Sequence, residues 1–359
     1  MNAAALTPEA MTSVRDRLQI VDPLDTPGWD GRVTSHPDYS FFHSAAWAQV
    51  LRGTYGFGPL YFTVSDRGRL LNLLPVMEVN SALTGRRGVS LPFTDECPVI
   101  ASDSTSAGEL LGEVLSCGKQ LRWRYFECRG KGDLFPDVPA SVSFYGHTVA
   151  LADGEGSLFA GLDSSVRQAV RKAESAPVEV EITNSPESVR TFYHLHCQTR
   201  RKHGLPPQPF SFFENIHRSV LSRGMGVVAV GRHGPTPTAA AMFFHLGRKA
   251  IFKFGASDPA FQHLRGNNLV MWKAIQWYCR KGYALLDFGR TSLDNGGLRR
   301  FKLGFGTEER RVDYFKYDFR QGSFVADRDG PSGWATWVFH LLPLPVCRMM
   351  GQLLYRHWA

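Results

Sequence analysis

The 359-residue sequence is poor in cysteine: it has six, and no two of Cys97, Cys117, Cys128, Cys197, Cys279 and Cys347 form a CxxC pair. That scatter excludes a disulfide framework and a thiolate zinc site, and reads as buried thiols in a reducing compartment. Long apolar runs are also missing. No stretch reaches the ~20 residues that a spanning helix needs, and the nearest approach, 334–346, is short and interrupted by Pro343 and Pro345. The N-terminal segment has no basic start followed by a long apolar core, so no secretory signal is expected and cytoplasmic residence is. None of the twelve histidines stands at a spacing from Ser and Asp that suggests a hydrolase triad.

A hydrophobic content of 43%, a charged content of 21% and a net charge of +8 describe a globular chain. Its length fits two domains of roughly 100–200 residues each. The charge is uneven: residues 1–158 carry 13 Lys and Arg against 18 Asp and Glu, whereas 159–359 carry 28 against 15. A basic second half joined to an acidic first half points to an anionic, phosphate-bearing partner for the second half, with a solvated charged surface as the plain alternative.

The pattern of elements repeats. In the first half, Ser44 caps a helix with Trp47, Val50 and Leu51 inward, Gly56 stops it, and strands at 60–65 and 70–79 flank the hairpin turn Asp66-Arg67-Gly68-Arg69. A strand near 89–91, a helix at 108–115 and strands at 125–128 and 147–151 follow. In the second half, Ser211 and Glu214 read as a capping box on a helix at 212–221. Strands at 227–230, 239–245 and 250–254, a helix at 269–280 and a strand at 284–288 complete it. Two further helices open this half, one at 163–175 capped by Asp163 and one at 185–198 opened by Ser185-Pro186 and stopped near Gly204. A helix leading into a β-meander in each half reads as an internal duplication of an α/β unit.

Several segments carry a family likeness: FFHSAAWAQVL, SLPFTDECP, VRQAVRKAES, TRRKHGLPPQP, FKFGASD and FGRTSLDNGGLRRFKLGFG. Together, over about residues 35–320, they resemble the FemAB-like proteins of the GNAT acyltransferase superfamily, in the bacterial branch associated with peptidoglycan, exopolysaccharide and other cell-envelope systems. The resemblance implies a mixed α/β fold of two tandem GNAT-like domains, each a twisted mixed sheet flanked by helices, with substrate in the cleft between them. The expected layout is an N-terminal extension at 1–34, domain 1 at 35–158, domain 2 with the transfer site at 159–325, and an amphipathic tail at 326–359. It further implies transfer of an acyl or aminoacyl group to an amine, with acyl-CoA or aminoacyl-tRNA as co-substrate and no resident cofactor. No long heptad-patterned insertion lies in domain 2, so the coiled-coil arm of some tRNA-using members is absent.

Aminolysis of an ester or thioester needs a neutral amine and a stabilised oxyanion, and neither task needs a metal. In the Fem-type transferases that Gly296–Gly306 resembles, the lysine matching Lys302 stabilises the negative charge of the transition state, and that role is implied for Lys302. Arg167, Arg171 and Lys172 look like the family's RxxxRKA helix, where clustered cations would meet a pyrophosphate; a solvated helix face is the other reading. Ordinary GNAT domains place a phosphate-binding Q/R-x-x-G-x-G/A loop where this chain has Arg265, Gly266, Asn267 and Asn268. Only Arg265-Gly266 keeps that pattern, so Asn267 or Asn268 reads equally well as a helix N-cap. Asp95 is a candidate to orient or deprotonate an amine, Arg290 and Arg299 to hold substrate, and Asp287 to position it or pair with Arg290. Cations at 200–203 are cleft candidates or helix-dipole partners. The C-terminal stripe of Val346, Met349, Met350, Leu353 and Leu354, with Trp334, Trp337 and Trp358 around it, suggests peripheral contact of 334–358 with the inner membrane or packing on domain 1. Three functions stay open at this point: transfer to an amine of an envelope precursor, acyl-CoA-dependent N-acylation of an amino sugar in exopolysaccharide synthesis, and non-catalytic polyanion binding. tRNA is a further partner under the first.

Overall fold

The computed structural model describes residues 17–130, 132–327, 339 and 342–358. Strand β1 (Leu18–Val21) and helix α1 (Trp29–Thr34) come first. Both pack onto the first half: β1 pairs with a neighbouring strand, and Trp29 and Val33 are buried in the main core. Residues 18–34 therefore belong to the body of the fold. Of the expected extension, 1–16 lie outside the described residues.

The first repeat runs α2 (Ala45–Tyr55), β2 (Gly58–Asp66), β3 (Arg69–Ser81), β4 (Gly85–Val89), α3 (Ser104–Gln120) and β5 (Tyr125–Arg129). Ser44 caps α2 by accepting from Trp47 N, and Gly56 ends it in the left-handed conformation. The second repeat has the same order: α7 (Phe210–Ser219), β8 (Gly226–His233), β9 (Thr236–Leu246), β10 (Lys249–Ser257), α8 (Gly266–Arg280) and β11 (Leu285–Ser292). In each, three strands form an antiparallel meander and the strand after the long helix pairs parallel to the third. The equivalent helices meet: Trp47 of α2 lies 6.0 Å from Phe212 of α7, ring centre to ring centre, and Asn215 donates to Thr54 at 3.0 Å.

Between the repeats lie β6 (Val142–Ala150), α4 (Gly154–Gly161), α5 (Ser164–Ser175), β7 (Val178–Thr183) and α6 (Pro186–Lys202). After β11 come α9 (Gly296–Leu303), β12 (Glu308–Asp318), the short β13 (Ser323–Phe324) and α10 (Leu344–Leu354). The two expected sheets are joined into one, ordered β1-β2-β3-β4-β5-β12-β6-β11-β10-β9-β8-β7, with β13 beside β12. At the centre the chain order crosses: β12 sits between β5 and β6, so it completes the half that was made first.

Helix α7 corrects one expectation. It starts at Phe210 with Pro209 at its N-cap position and no side-chain cap, so Ser211 lies inside the first turn and the Ser211–Glu214 capping box does not form. All six cysteines are free thiols; Cys97, Cys128, Cys197 and Cys347 are buried. The tail helix α10 packs on the body: a Cβ on Gly351 would lie 1.9 Å from the Pro207 carbonyl oxygen, and Tyr355 stacks near Phe93 and donates to the Pro206 carbonyl at 3.1 Å. Trp334 and Trp337 lie outside the described residues. No helix among the described residues is long and apolar enough to cross a membrane.

Candidate active site

The parallel pair β10 and β11 is short. Its register covers only Lys249, Ala250 and Ile251 against Leu285, Leu286 and Asp287. Beyond Ile251 and Asp287 the strands part. β10 bulges against β9 between Phe252 and Phe254, and β11 against β6 between Asp287 and Arg290. Gly289 makes the second bend possible. Its φ is 70°, and a Cβ there would stand 3.1 Å from Asp95 Cγ.

Ionisable side chains gather around that opening. Lys302, on α9, is only 2% exposed. Its Nζ donates to the carbonyls of Gly289 and Arg290, both at 2.8 Å. An ammonium has three donors, so one N–H of Lys302 remains to be given. Burial pulls its pKa down to about 8, against the attraction of Asp95 and Asp287. Asp95, in the loop after β4, accepts from Lys253 Nζ at 2.6 Å. Burial alone would raise this carboxyl, but Lys253, Arg290 and Lys302 outweigh it and hold Asp95 below the usual range. Tyr314 fixes the loop by donating to the Asp95 carbonyl at 2.5 Å.

Arg290 is held by rings: its guanidinium lies 4.0 Å from the Phe144 ring centre and 5.1 Å from that of Tyr314. The guanidinium makes no hydrogen bond or ion pair with another described residue, and does not pair with Asp287. Asp287 instead accepts from Gly289 N at 2.6 Å. Burial, then Glu96, push Asp287 up to about 6. It also lines a cavity of about 590 Å³ shared with Phe42, Glu96, Asp133, Lys249 and Arg310.

A second cavity lies along β10 and reaches α9. This cavity of about 280 Å³ is bounded by Lys202 and His203 at the end of α6, Phe252, Gln262, Asn267, and Leu298 and Phe301 of α9. It thus runs from the N-terminus of α8 to the helix that carries Lys302. The N-cap of α8 is Arg265, left-handed at φ 59°, and no side chain caps the helix. Neither Asn267 nor Asn268 is therefore the N-cap, and first-turn N–H groups are left to solvent or ligand. Gly266 is buried where a Cβ would crowd Thr238 and Ala239.

The cations of α5, expected to meet a pyrophosphate or to form a solvated helix face, lie apart from this cluster. Arg167 donates to the carbonyls of Ala160 and Leu162, closing the end of α4, and Arg171 lies over Phe159 at 5.8 Å. Lys172 is exposed. Among the described residues, none of the three contacts Lys302, Asp95 or Arg290. Arg299 forms a two-pronged pair with Glu309 at 2.7 and 2.8 Å and lies 4.2 Å from the Tyr145 ring centre. Of the run 200–203, Arg200 is engaged with Tyr355, and Lys202 and His203 line the second cavity. The sequence reading missed Lys253 as a site residue. Its signal was a cation at the centre of the apolar run Ile251-Phe252-Lys253-Phe254.

Residues 162–309 match the acetyltransferase (GNAT) domain family. The fold as a whole is similar to FemX, at 15% identity and a TM-score of 0.67, covering 85% of this chain and 98% of that one. It is similar to the C-terminal domain of a putative lysylphosphatidylglycerol synthetase from Agrobacterium fabrum, at 15% identity and TM-score 0.54, covering 86% and 93%. A tandem GNAT protein from the clavulanic acid biosynthesis pathway matches at 11% identity and TM-score 0.54, covering 88% and 99%. No curated protein matches the sequence. The chain thus shares the fold of FemX and of the tandem GNAT protein, the mixed α/β architecture expected from its motifs, and residues 162–309 of it match the GNAT domain model.

Proposed function

We propose that this protein is an acyltransferase that moves an acyl group from a coenzyme A thioester to a primary amine of a cell-envelope precursor. The observation that carries the reading is Lys302: a buried ammonium with one donor to spare, beside strands that part to admit an extended ligand. The GNAT match supports acyl-CoA as donor. In this reading the pantetheine arm enters the cleft between β10 and β11, and Arg265, Gly266, Asn267 and Asn268 meet the pyrophosphate at the uncapped start of α8.

The neutral amine attacks the thioester carbonyl carbon. The C–N bond forms, and the carbonyl oxygen gains a negative charge that accepts from the free N–H of Lys302. On collapse the C–S bond breaks and the sulfur leaves as thiolate; the proton released by the new ammonium balances it as free thiol. Asp95, ion-paired and held acidic, is a weak base and serves to position the amine. Arg290, an unpaired guanidinium on an aromatic shelf, suits an anionic group of either substrate. The acceptor approaches from the cavity lined by Asp287 and Glu96. Arg167, Arg171, Lys172 and Arg299, away from this centre, are proposed as outer contacts for a phosphate-bearing acceptor. An amino sugar bound for exopolysaccharide requires the same steps.

Thermal shift tests the donor. Acetyl-CoA or a longer acyl-CoA at a hundredfold excess over Kd should stabilise the protein by about 2.7 kcal/mol, and an acyl-sized mass gain on a candidate amine should require Lys302. Stabilisation by aminoacyl-tRNA alone would replace the donor. Binding of neither, with Lys302→Ala leaving the cellular role intact, would leave the non-catalytic polyanion-binding reading.

A further inference from the structure

A second face combines a large cavity with the most exposed large apolar side chains among the described residues. The cavity, about 1450 Å³, lies where the end of α3, β5 and β12 meet the tail. Lys119, Arg122, Arg124, Lys316 and Arg320 line it; Lys316 is paired with Asp327 at 2.6 Å, and the one acid in the lining is Asp318. That carboxylate is already taken by the backbone N–H groups of Arg320 and Gln321. Lys119, Arg122 and Arg320 form no ion pair with a described residue. Two of the five cations, Lys316 and Arg320, arrive on β12 and the turn after it.

Trp358 lines this cavity on the tail side, Leu83 precedes Thr84 of its lining, and Met349 and Leu353 stand on α10, which leads into Trp358. Leu83, Met349, Leu353 and Trp358 are 69%, 56%, 61% and 47% exposed, among the most exposed large hydrophobic residues described. Leu83 sits in the turn between β3 and β4, and His357 ties that turn to the tail: its ring pairs with Ser81 at 2.7 Å and its carbonyl accepts from Thr84 at 3.1 Å. Buried Arg87 donates to the same carbonyl at 2.9 Å. Met349, Leu353 and Arg356 recur at helical spacing on the side of α10 that faces away from the body. Apolar residues of this size are seldom left on a free surface beside a cationic basin without a partner.

We propose that this face docks on an anionic lipid bilayer, with phosphate headgroups in the basic cavity and Leu83, Met349, Leu353 and Trp358 entering the interface. Charge complementarity selects the occupant: a neutral protein surface would satisfy the apolar residues and leave the cations unmatched, whereas an anionic bilayer meets both. Trp358, an amphipathic ring at the cavity rim, is of the type that settles at headgroup level. The inference stands on surface chemistry alone and does not depend on the transfer reading.

The full-length protein is tested by co-sedimentation with phosphatidylcholine vesicles made with and without phosphatidylglycerol. Binding is expected only when phosphatidylglycerol is present, and it should weaken as salt rises. Arg122→Gln with Arg320→Gln should lower the partition coefficient roughly 25-fold, about fivefold per cation, and Leu353→Asp should abolish most of the remainder. Both variants should keep the wild-type melting temperature and wild-type transfer to a soluble amine. Brominated lipid should quench wild-type fluorescence more than that of Trp358→Phe. Equal binding to both vesicle types, variants that bind as wild type, or capture by heparin with no vesicle binding would each overturn the proposal.

Discussion

Asp287 and Lys302 hold the same residue from its two ends. The carboxylate accepts from the N–H of Gly289 at 2.6 Å, and the ammonium donates to its carbonyl at 2.8 Å. The bend that parts β11 from β10 is therefore clamped between a carboxylate and an ammonium. Changes at either side chain will be felt at the other through the single residue Gly289.

Replacing Lys302 by Ala should lower kcat by roughly 100- to 1,000-fold, the cost of losing one oxyanion donor, with a smaller effect on KM for the donor. It also leaves the carbonyls of Gly289 and Arg290 unmatched, so stability should fall by about 1–3 kcal/mol. Steady-state kinetics and urea denaturation separate the two losses. A variant with unaltered kcat would remove Lys302 from the chemistry.

Gly289→Ala should destabilise by about 1–3 kcal/mol, because alanine at φ 70° is strained and its methyl would press on Asp95. Transfer should fall with it as Asp95 shifts. A fully stable and active alanine variant would show that the bend tolerates a side chain.

Asp95→Asn strands an ammonium that is 7% exposed, that of Lys253. The expected loss is about 3–5 kcal/mol, the cost of breaking a buried ion pair from one side. Asp95→Asn combined with Lys253→Met should recover most of it. If the double variant is no more stable than the single one, the pair is not the cause. Because Asp95 is held below its ordinary value, its contribution is present near neutrality and is lost as pH falls into the acid range.

Much of this site was legible in the sequence, but partners were not. The glycines before and after Leu298–Phe305 marked a short helix, and Lys302 stood on it in a segment with a family likeness. Arg290 and Asp95 were visible for similar reasons. Lys253 was hidden because a strand pattern shows alternation but not which strand will bring a carboxylate opposite. The α5 cations were read correctly as one face of a helix; their destination was local, since the carbonyl end of α4 lies within reach of Arg167. The capping box failed because Pro209 opens α7 two positions early. The crossing of β12 had no local signature: its pairing with β5 joins residues far apart in the chain.

Two pH effects should appear. Transfer should decline as pH rises through about 8, where Lys302 loses its proton; Lys302→Arg, whose guanidinium stays charged, should lack that limb. Asp287 is pushed up to about 6 by burial and then Glu96, so the folded state binds its proton more tightly than the unfolded chain does. Stability should therefore fall by roughly 3 kcal/mol as pH rises from the ordinary carboxyl range through about 6. Asp287→Asn should flatten that fall in denaturation measured across the range. The same fall in the variant would place its origin elsewhere.

Gly351→Ala should detach the tail, because the methyl would overlap the Pro207 carbonyl oxygen. Limited proteolysis should then cut near 342–358 while the body stays folded. Unchanged protection would mean that α10 can slide without loss of its seat.

The placement of β12 also bears on how the protein is made. While the chain is being synthesised, the first repeat emerges with β5 as an open sheet edge, and residues 308–318, which close it, are translated only after the second repeat. Until then the nascent protein exposes unpaired backbone of the kind that seeds aggregation. Neither repeat is a finished product when severed from the other, and the two are inherited, expressed and engineered as one piece.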